Sequence, residues 1–469
     1  MIFSTKAKEE FNVKNVMSST MDNFISKCAD IYLGNPEWTL RKGIKTINFA
    51  EFVCKETAKL ATLGINITLD GNSSRIKELQ KKVSYIKRNI RKWVQDGCAY
   101  GTVIIKPNGS SIDIVYPDSF MVTEEENGNI KGIVFLEQKT SADGKEYYTR
   151  LEYHRFIKDL YVITNKCYKG ESKDDIKTSV DIKDTPWSNY EAEIGISNMT
   201  SMLFGVLRMP DANRIDNKSA LSLPMFADAL VELEDLDIAY SRYAKEIDDS
   251  KRTVLLDADR LIQQNPAAQR NNTNYKIAAE QMELPDYVKV VESVNDESAQ
   301  GMYQEINPTL NTETRIKGIN FYLSLIGFKC GFSNGYFVFD ESTGLITATQ
   351  VTSDQARTIQ LVNDVRTMVD ACLIDVIKAV NVFEDLYGTT GHVDILDESD
   401  TPELERVIHI HFEPIYTNEE EDRSRAYQLT QSGYYPKWYY LHMYEGMDEE
   451  TAKALTAEAG QKEPGLFDE

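Results

Sequence analysis

The sequence predicts an α+β protein, in which helices and an antiparallel sheet occupy different parts of the chain. Two long segments, residues 219–249 and 348–387, repeat apolar side chains at three- and four-residue steps, which is typical of helices. Between residues 100 and 165 the period changes to two, and turn sequences such as Pro107-Asn108-Gly109 separate the alternating segments. The length of 469 residues is enough for roughly two to four domains.

The N-terminal part is predicted to combine helices with a meander of short strands. Apolar spacing predicts three helices that each end at a glycine: residues 16–33 (Gly34), 48–63 (Gly64) and 73–95 (Gly97). A strand is predicted over residues 65–69, between the second and third helices. The meander is predicted to use residues 101–106, 112–116, 120–123, 130–138, 146–156 and 160–164. Residues 168–198 are polar and predict irregular structure.

Residues 219–249 are predicted to form one helix with two unlike faces. Ser222 is the predicted N-cap, with Pro224 in the first turn. The apolar stripe consists of Phe226, Leu230, Leu233, Tyr240, Ala244 and Ile247. The opposite side carries Asp228, Glu232, Asp235 and Asp237. This pattern predicts a helix that packs along one side and presents a negative surface on the other.

The rest of the chain alternates long helices with short inserts. A small insert over residues 251–295 separates the first long helix from a second one over residues 307–330, opened by Asn307-Pro308. The helix predicted over residues 348–387 would be about 60 Å long and cross the molecule. A strand at residues 407–412 and helices at residues 418–431, 436–444 and 448–459 complete the prediction.

Composition narrows the possible functions. The formal net charge of −22 argues against adhesive binding of nucleic acid or of an anionic membrane, because both favour clustered Lys and Arg. The six cysteines are far apart and predict neither a zinc site nor a disulfide framework, which indicates a reducing compartment. The N-terminus lacks the apolar run of a signal peptide, and no apolar run is long enough to cross a membrane.

Several motifs contain residue types that could carry chemistry, but none of them predicts a catalytic centre. The segment GCAYG at residues 97–101 has the wrong order for a phosphate loop. His409 and His411 share a strand face, but the sequence supplies no third metal ligand. The acids of residues 219–249 would suit a Mg²⁺-dependent nuclease, yet a solvated helix face has the same pattern. The basic helix at residues 73–95 is interpreted as a solvated face or one that meets an acidic neighbour, with phosphate contact as the alternative.

Eight short blocks carry a resemblance to a known family. They are LFGVLR at residues 203–208 with Pro210, ANRID at 212–216, FADAL at 226–230, DLDIAYSRY at 235–243, KR at 251–252, INP at 306–308, GFS at 331–333 and TATQV at 347–351. Together they resemble the portal proteins of tailed bacteriophages, in the group common among phages of Gram-positive bacteria. The resemblance covers residues 16–459, and it departs from many relatives at Gln350, where those have an acidic residue.

The resemblance implies a portal fold with an α+β wing, a two-helix stem, a small α/β clip, a long spine helix and a helical crown. The implied parts are the wing (residues 1–218), first stem helix (219–250), clip (251–297), second stem helix (298–330), tunnel loop (331–347), spine helix with a wing strand (348–416) and crown with the tail (417–469).

The family's known role sets the functional expectation. Portal proteins form a homo-oligomeric ring, usually a dodecamer, at one capsid vertex of the virion after assembly in the host cytoplasm. The ring conducts double-stranded DNA during packaging and ejection. Its implied partners are the terminase large subunit, a head–tail adaptor protein, and the major capsid and scaffolding proteins. The resemblance implies no cofactor, no membrane and no enzymatic activity.

Lumen-facing residues are expected on the first stem helix and the tunnel loop. An acidic lining would repel the duplex and let it slide, because cationic contacts add affinity. The predicted lining acids are Glu232, Glu234, Asp235 and Asp237, and the predicted cationic contacts are Arg242, Lys245 and Arg252. The aromatic residues Tyr336, Phe337 and Phe339 are expected to pack between subunits or, as the alternative, to reach DNA. Two other functions stay open: a metal-dependent nucleic-acid-processing enzyme that uses the acidic helix, or another minor capsid or adaptor protein.

Overall fold

The computed structural model of the chain is a mixed α+β structure, which confirms the predicted class. It describes residues 2–109, 111–141, 144–158, 160–217, 219–250, 253–257, 288–291, 303–306, 310–339, 355–387, 404–415 and 419–460.

The N-terminal part has four helices, and three of them agree with the prediction except at their ends. The four are α1 (Ile2–Phe11), α2 (Ser19–Tyr32), α3 (Phe49–Ala61) and α4 (Ser74–Tyr100). The sequence did not predict α1, in which Phe3 and Ala7 are buried. The predicted end of α4 at Gly97 is wrong, because Gly97 lies inside the helix and packs closely on Leu207. The helix ends at Gly101, whose φ of 77° favours glycine.

Two antiparallel sheets follow α4, where the sequence predicted a single antiparallel meander. The first has the order β10 (Gly205–Arg208), β2 (Thr102–Asn108), β3 (Ser111–Val115). The second is the meander of β4 (Phe120–Glu126), β5 (Asn129–Thr140), β6 (Tyr147–Ile157) and β7 (Leu160–Gly170), with β8 (Thr178–Val180) and β9 (Glu193–Ser197) both paired to β7. The prediction of irregular structure over residues 168–198 was therefore wrong in part. The two missed strands are short and bury little apolar surface, so their periodicity is weak.

The first long central helix, α5 (Leu230–Asp249), begins eleven residues later than predicted. Ser222 is not its N-cap, because the residue is buried and its backbone N–H donates to Thr102 Oγ1 at 2.8 Å. The Met225 N–H donates to the Cys98 carbonyl at 3.0 Å, so this segment runs across the end of α4. Those contacts hold residues 222–225 out of helical conformation, and a short 3₁₀ turn, Ala227–Ala229, leads into α5.

The insert after α5 is a small three-stranded sheet. Its strands are β11 (Thr253–Asp257), β12 (Val288–Val291) and β13 (Tyr303–Ile306), and the central β11 is parallel to β12 and antiparallel to β13. The second long helix, α6 (Thr312–Lys329), starts after Asn311, and the predicted start at Asn307-Pro308 lies outside the described residues. It ends where Gly331 adopts a φ of 90°.

The next helix, α7 (Ala356–Tyr387), connects the later part of the chain to the N-terminal helices. Its 32 residues span about 48 Å, and the predicted residues 348–354 lie outside the described part. The predicted stripe is buried at Val362, Val365, Val369, Cys372, Val376 and Val380. Arg366 donates to the carbonyls of Ala61 and Leu60 at the end of α3. Arg75 of α4 binds Asp385 at 2.5 Å, so α7 is tied to the N-terminal helices at two points.

The chain then returns to its N-terminal part and ends in three helices. Strand β14 (Ile408–His411), predicted at residues 407–412, pairs antiparallel with β1 (Asn66–Leu69). Helices α8 (Glu419–Gln431), α9 (Lys437–Tyr444) and α10 (Glu449–Gly460) agree with the prediction to within one residue at each end. Within the described ranges, no helix has the length and apolar character needed to cross a membrane.

Candidate functional surface

Helices α5 and α6 form an antiparallel hairpin. Glu232, near the start of α5, binds Lys329 at the end of α6, with 2.6 Å between Oε1 and Nζ. Glu246, near the end of α5, binds Arg315 near the start of α6 at 2.6 Å. Pairs at both ends fix the two helices side by side along their whole length. The three-stranded insert connects them at the end that holds Glu246.

The hairpin is embedded at one end and exposed at the other. Near the Lys329 end, Leu233, Leu236, Leu323 and Ile326 are buried in the largest hydrophobic cluster of the chain. The apolar stripe of α5 continues toward the insert, where Tyr240 and Ile247 are 37% and 44% exposed. These two side chains lie seven residues apart and therefore on one side of the helix.

Helix α6 also exposes large apolar side chains, on the side turned away from its buried residues. Phe321 is 62% exposed and Phe328 is 48% exposed, and they too are seven residues apart. The Arg357 guanidinium covers part of Phe328, with its Cζ 3.8 Å from the ring centroid. The hairpin thus presents two separate apolar surfaces, which we call the α5 surface (Tyr240, Ile247) and the α6 surface (Phe321, Phe328).

The acidic side of α5 is not the open negative wall that the sequence predicted. Asp237 is only 3% exposed, and its two carboxylate oxygens accept hydrogen bonds from Trp38 Nε1 at 2.8 Å and Ile47 N at 3.0 Å. Glu234 binds Arg41 of the same segment. Residues 38–47 therefore cover this side of the helix and use the acids as docking partners. Asp237 is therefore not one of the acids exposed at the surface.

The other predicted lining residues lie in different environments. Glu232 is neutralised by Lys329, whereas Asp235 is partly exposed and makes no ion pair with any described residue. Arg242 and Lys245 are exposed. Arg252 lies outside the described residues. Among the acids predicted to face a duplex, Asp235 is thus the partly exposed one that has no cationic partner within the described structure.

The aromatic residues after α6 divide into packed and exposed ones. The Tyr336 hydroxyl donates to Glu56 Oε1 at 2.9 Å. Phe337 is buried against Phe332, with 4.7 Å between ring centroids, and also contacts two phenylalanines of α3. Phe339 is 73% exposed and is held by paired hydrogen bonds between its backbone and Asn320. Packing in the chain's own core therefore accounts for Tyr336 and Phe337 but not for Phe339.

The sequence motifs for metal or nucleotide chemistry gain no support from their surroundings. His409 Nε2 lies 2.8 Å from Asp70 Oδ2 on an exposed strand. In the portion of the chain that the structure describes, no group of three or more His, Cys, Asp or Glu is arranged to hold a metal ion. Gly97 is part of a buried helix turn rather than of a loop.

A buried ionic cluster in the sheets was missed by the sequence analysis. Lys106 of β2 and Arg150 of β6 both bind Glu152, and Arg150 also binds Glu137 at 2.6 Å. Burial alone would raise the pKa of Glu152, but the charges of Arg150 and Lys106 outweigh burial and hold that pKa well below its usual value. Arg150, Glu152 and His154 occupy alternate positions on one face of β6, and this pattern is the sequence signal that could have indicated the cluster. Such polar alternation normally indicates a solvated face.

His154 closes the cluster on its apolar side. Its Nε2 lies 2.9 Å from Glu152 Oε1, and its Nδ1 lies 2.6 Å from the Tyr161 hydroxyl. Burial lowers the pKa of His154 by more than the neighbouring carboxylate raises it. The cluster therefore ties the two sheets together through a neutral histidine and paired charges, and its buried position suits a structural role.

Comparison with known proteins adds no further constraint: no family model matches this chain, and no curated protein matches it.

Proposed function

We propose that this chain is a portal-type protein, whose copies close into a ring around a passage for double-stranded DNA. The observation that carries the proposal is the antiparallel hairpin of α5 and α6, with a small three-stranded sheet at its exposed end. The long helix α7 follows it, and β14 returns to pair with β1. This order of stem, insert, stem, spine and returning strand is the one that the sequence resemblance implies.

The two apolar surfaces of the hairpin support a ring rather than a symmetric dimer. Large exposed apolar side chains are costly in water and commonly mark interfaces. A closed ring uses a heterologous contact, in which each copy contributes two different surfaces to its two neighbours. The α5 surface and the α6 surface lie on different helices, so each copy can present one to each side.

The charges of the hairpin suit a passage through which DNA slides. Helix α6 adds three basic residues and one acidic residue to the seven acids and two basic residues of α5. The pairs Glu232–Lys329 and Glu246–Arg315 occupy two of these five cations. A lining that is mildly acidic and has few free cations does not grip phosphates, since each cationic contact would add salt-sensitive affinity. The sliding argument therefore depends on paired charges more than on a repulsive wall.

The remaining functional expectations come from the resemblance alone. They are a dodecameric ring at one capsid vertex, a non-enzymatic role, and docking of the terminase large subunit, a head–tail adaptor, and the major capsid and scaffolding proteins. The sequence carries no P-loop signature for nucleotide hydrolysis. A separate motor would then supply the energy of translocation.

Complementary surface variants test the ring contact. The α6 variant carries Phe321→Asp with Phe328→Asp, and the α5 variant carries Tyr240→Asp with Ile247→Asp. Each variant alone should sediment as a monomer, whereas an equimolar mixture should form dimers but no rings, because one intact contact survives per pair. A matched control, Ile157→Asp with Leu160→Asp, changes two exposed apolar residues at the β6–β7 turn and should assemble like the wild type. Rings formed by either hairpin variant would overturn the assignment.

A further inference from the structure

The exposed face of α4 carries a row of basic side chains. They are Lys77, Lys81, Lys87, Arg88, Arg91 and Lys92, and all six are exposed. We call this set the α4 basic face. The opposite side of α4 is buried against α3, β1 and α7, so the helix is held firmly while this face points to solvent. The row is unusual in a chain whose net charge is −22.

Five of the six cations form no ion pair with any described residue. Lys87 donates to the neutral amide oxygen of Asn66, Arg88 to the carbonyl of Ser84, and Arg91 to the hydroxyl of Thr62. Lys81 is the exception, because it binds Glu78 at 2.6 Å. On the hairpin, by contrast, the cations Lys329 and Arg315 are each neutralised by a glutamate. Among the described residues, the α4 basic face is therefore not neutralised, apart from Lys81.

The geometry of this face fits a polyanion. Fifteen residues separate Lys77 from Lys92, which corresponds to about 22 Å of helix. Duplex DNA carries about one charge per 1.7 Å of its axis, so many phosphates lie within reach of such a row. The chain's net negative charge opposes binding only weakly, because salt screens charges beyond about 10 Å at 0.1 M ionic strength.

The side chains of the α4 basic face favour nucleic acid over an acidic protein surface as its partner. Protein interfaces normally contain an apolar core surrounded by polar residues. Within the described residues of α4, no large apolar side chain is exposed. A face with charge alone is instead typical of contacts to phosphates, which position a duplex without reading its sequence.

We propose that the α4 basic face binds the phosphate backbone of duplex nucleic acid without sequence preference. This site lies on the N-terminal helices, apart from the hairpin, and it requires no ring. Its substrate class is a phosphodiester duplex held on the outer surface of the protein.

Closed circular DNA tests the proposal, because a relaxed closed plasmid cannot thread through a ring that has already formed. The test variant replaces four cations of the face: Lys77→Gln, Arg88→Gln, Arg91→Gln and Lys92→Gln. The matched control replaces four exposed lysines elsewhere: Lys8→Gln, Lys55→Gln, Lys173→Gln and Lys177→Gln. Full-length wild type and both variants are titrated against the plasmid by filter binding between 50 and 200 mM NaCl.

The wild type and the control variant should bind with a steep salt dependence. The test variant should bind more than about tenfold more weakly at 100 mM NaCl, and its slope of log K against log salt should be shallower by about three to four units. Duplex RNA is titrated in parallel, because it carries the same phosphate chemistry, to show whether the face prefers duplex DNA or duplex RNA. Absence of binding by the wild type, or equal loss in both variants, overturns the proposal. It is also overturned if the test variant changes only the sedimentation of the protein, since the face would then contact a second copy.

Discussion

In the sheets, Glu152 lies buried between Arg150 and Lys106, whereas in the hairpin Glu246–Arg315 lies at the surface and Glu232–Lys329 is partly exposed through its lysine. A buried pair has lost its hydration, so removal of one partner leaves an uncompensated charge in an apolar environment. In a surface pair, each charge exchanges its contacts with water for a contact of similar strength, so the pair contributes little to stability. The sheets are therefore stabilised within one chain. The hairpin relies on its embedded end and, in our proposal, on its neighbours in a ring.

The largest expected effect is in the buried cluster. Arg150→Met should lower the free energy of opening of the β5–β7 region by about 3–5 kcal/mol, because Glu137 and Glu152 lose their shared cation. Hydrogen–deuterium exchange of peptides from these strands measures this opening. The control Lys183→Met removes an exposed pair with Glu191 and should change it by less than about 0.5 kcal/mol. Equal effects of the two substitutions would remove the contrast between buried and surface pairs.

A smaller effect is expected at the one acid of α5 that is buried. Asp237→Asn should destabilise the contact between α5 and residues 38–47 by about 1.5–3 kcal/mol, because Trp38 and Ile47 both donate to the carboxylate. Asp235→Asn is the matched control and should be nearly neutral, since this side chain is partly exposed. Exchange protection of peptides over residues 36–48 reports the difference. If Asp235→Asn were the more damaging change, our assignment of the buried face of α5 would be wrong.

The pH dependence of the buried cluster should follow His154. Its folded-state pKa lies below the unfolded value of about 6.5, so the unfolded chain binds a proton that the folded chain does not. Stability should therefore be complete above pH 6.5 and fall below it, by at most about 1.4 kcal/mol per pH unit. Urea unfolding at pH 7, 6 and 5 should show this slope in the wild type and in His409→Gln. His154→Gln should lack it, and an unchanged slope in that variant would contradict the assignment.

The smallest effect is expected on the hairpin surface. Lys329→Ala should cost less than about 1 kcal/mol, because its pair with Glu232 is partly exposed to water. The double variant Lys329→Ala with Glu232→Ala should be no less stable than Lys329→Ala alone. Thermal unfolding followed by circular dichroism is sufficient for this comparison. If Lys329→Ala lowered the free energy of unfolding by more than about 2 kcal/mol, the pair would behave like a buried pair, and the contrast with the sheets would fail.

The sequence predicted the elements with strong periodicity and missed those that depend on distant contacts. The stripe of α7 and the alternation of the meander are local patterns, and both are present in the structure. The predicted start of α5 was wrong because Thr102 and Cys98 hold residues 222–225 out of helical conformation. No local pattern could show this, since these partners are more than a hundred residues away in the sequence.

The same limit applies to the candidate surface. The two helices and the insert between them were predicted from order and spacing, and their antiparallel pairing was implied only by the resemblance, but the role of the acids was not predicted. A row of carboxylates looks the same whether it faces water or the backbone of another segment. Only the structure shows that Arg41, Trp38 and Ile47 cover that side of α5. The exposed phenylalanines of α6 were likewise invisible, because an apolar residue in a helix pattern is normally assigned to the core.

Single-particle images of the purified full-length chain test the central claim most directly. The account predicts closed rings with a central opening, in which α5 and α6 of adjacent copies are in contact and Asp237 stays covered by residues 38–47. Compact monomers at concentrations well above micromolar would contradict it, as would dimers related by a twofold axis through the hairpin.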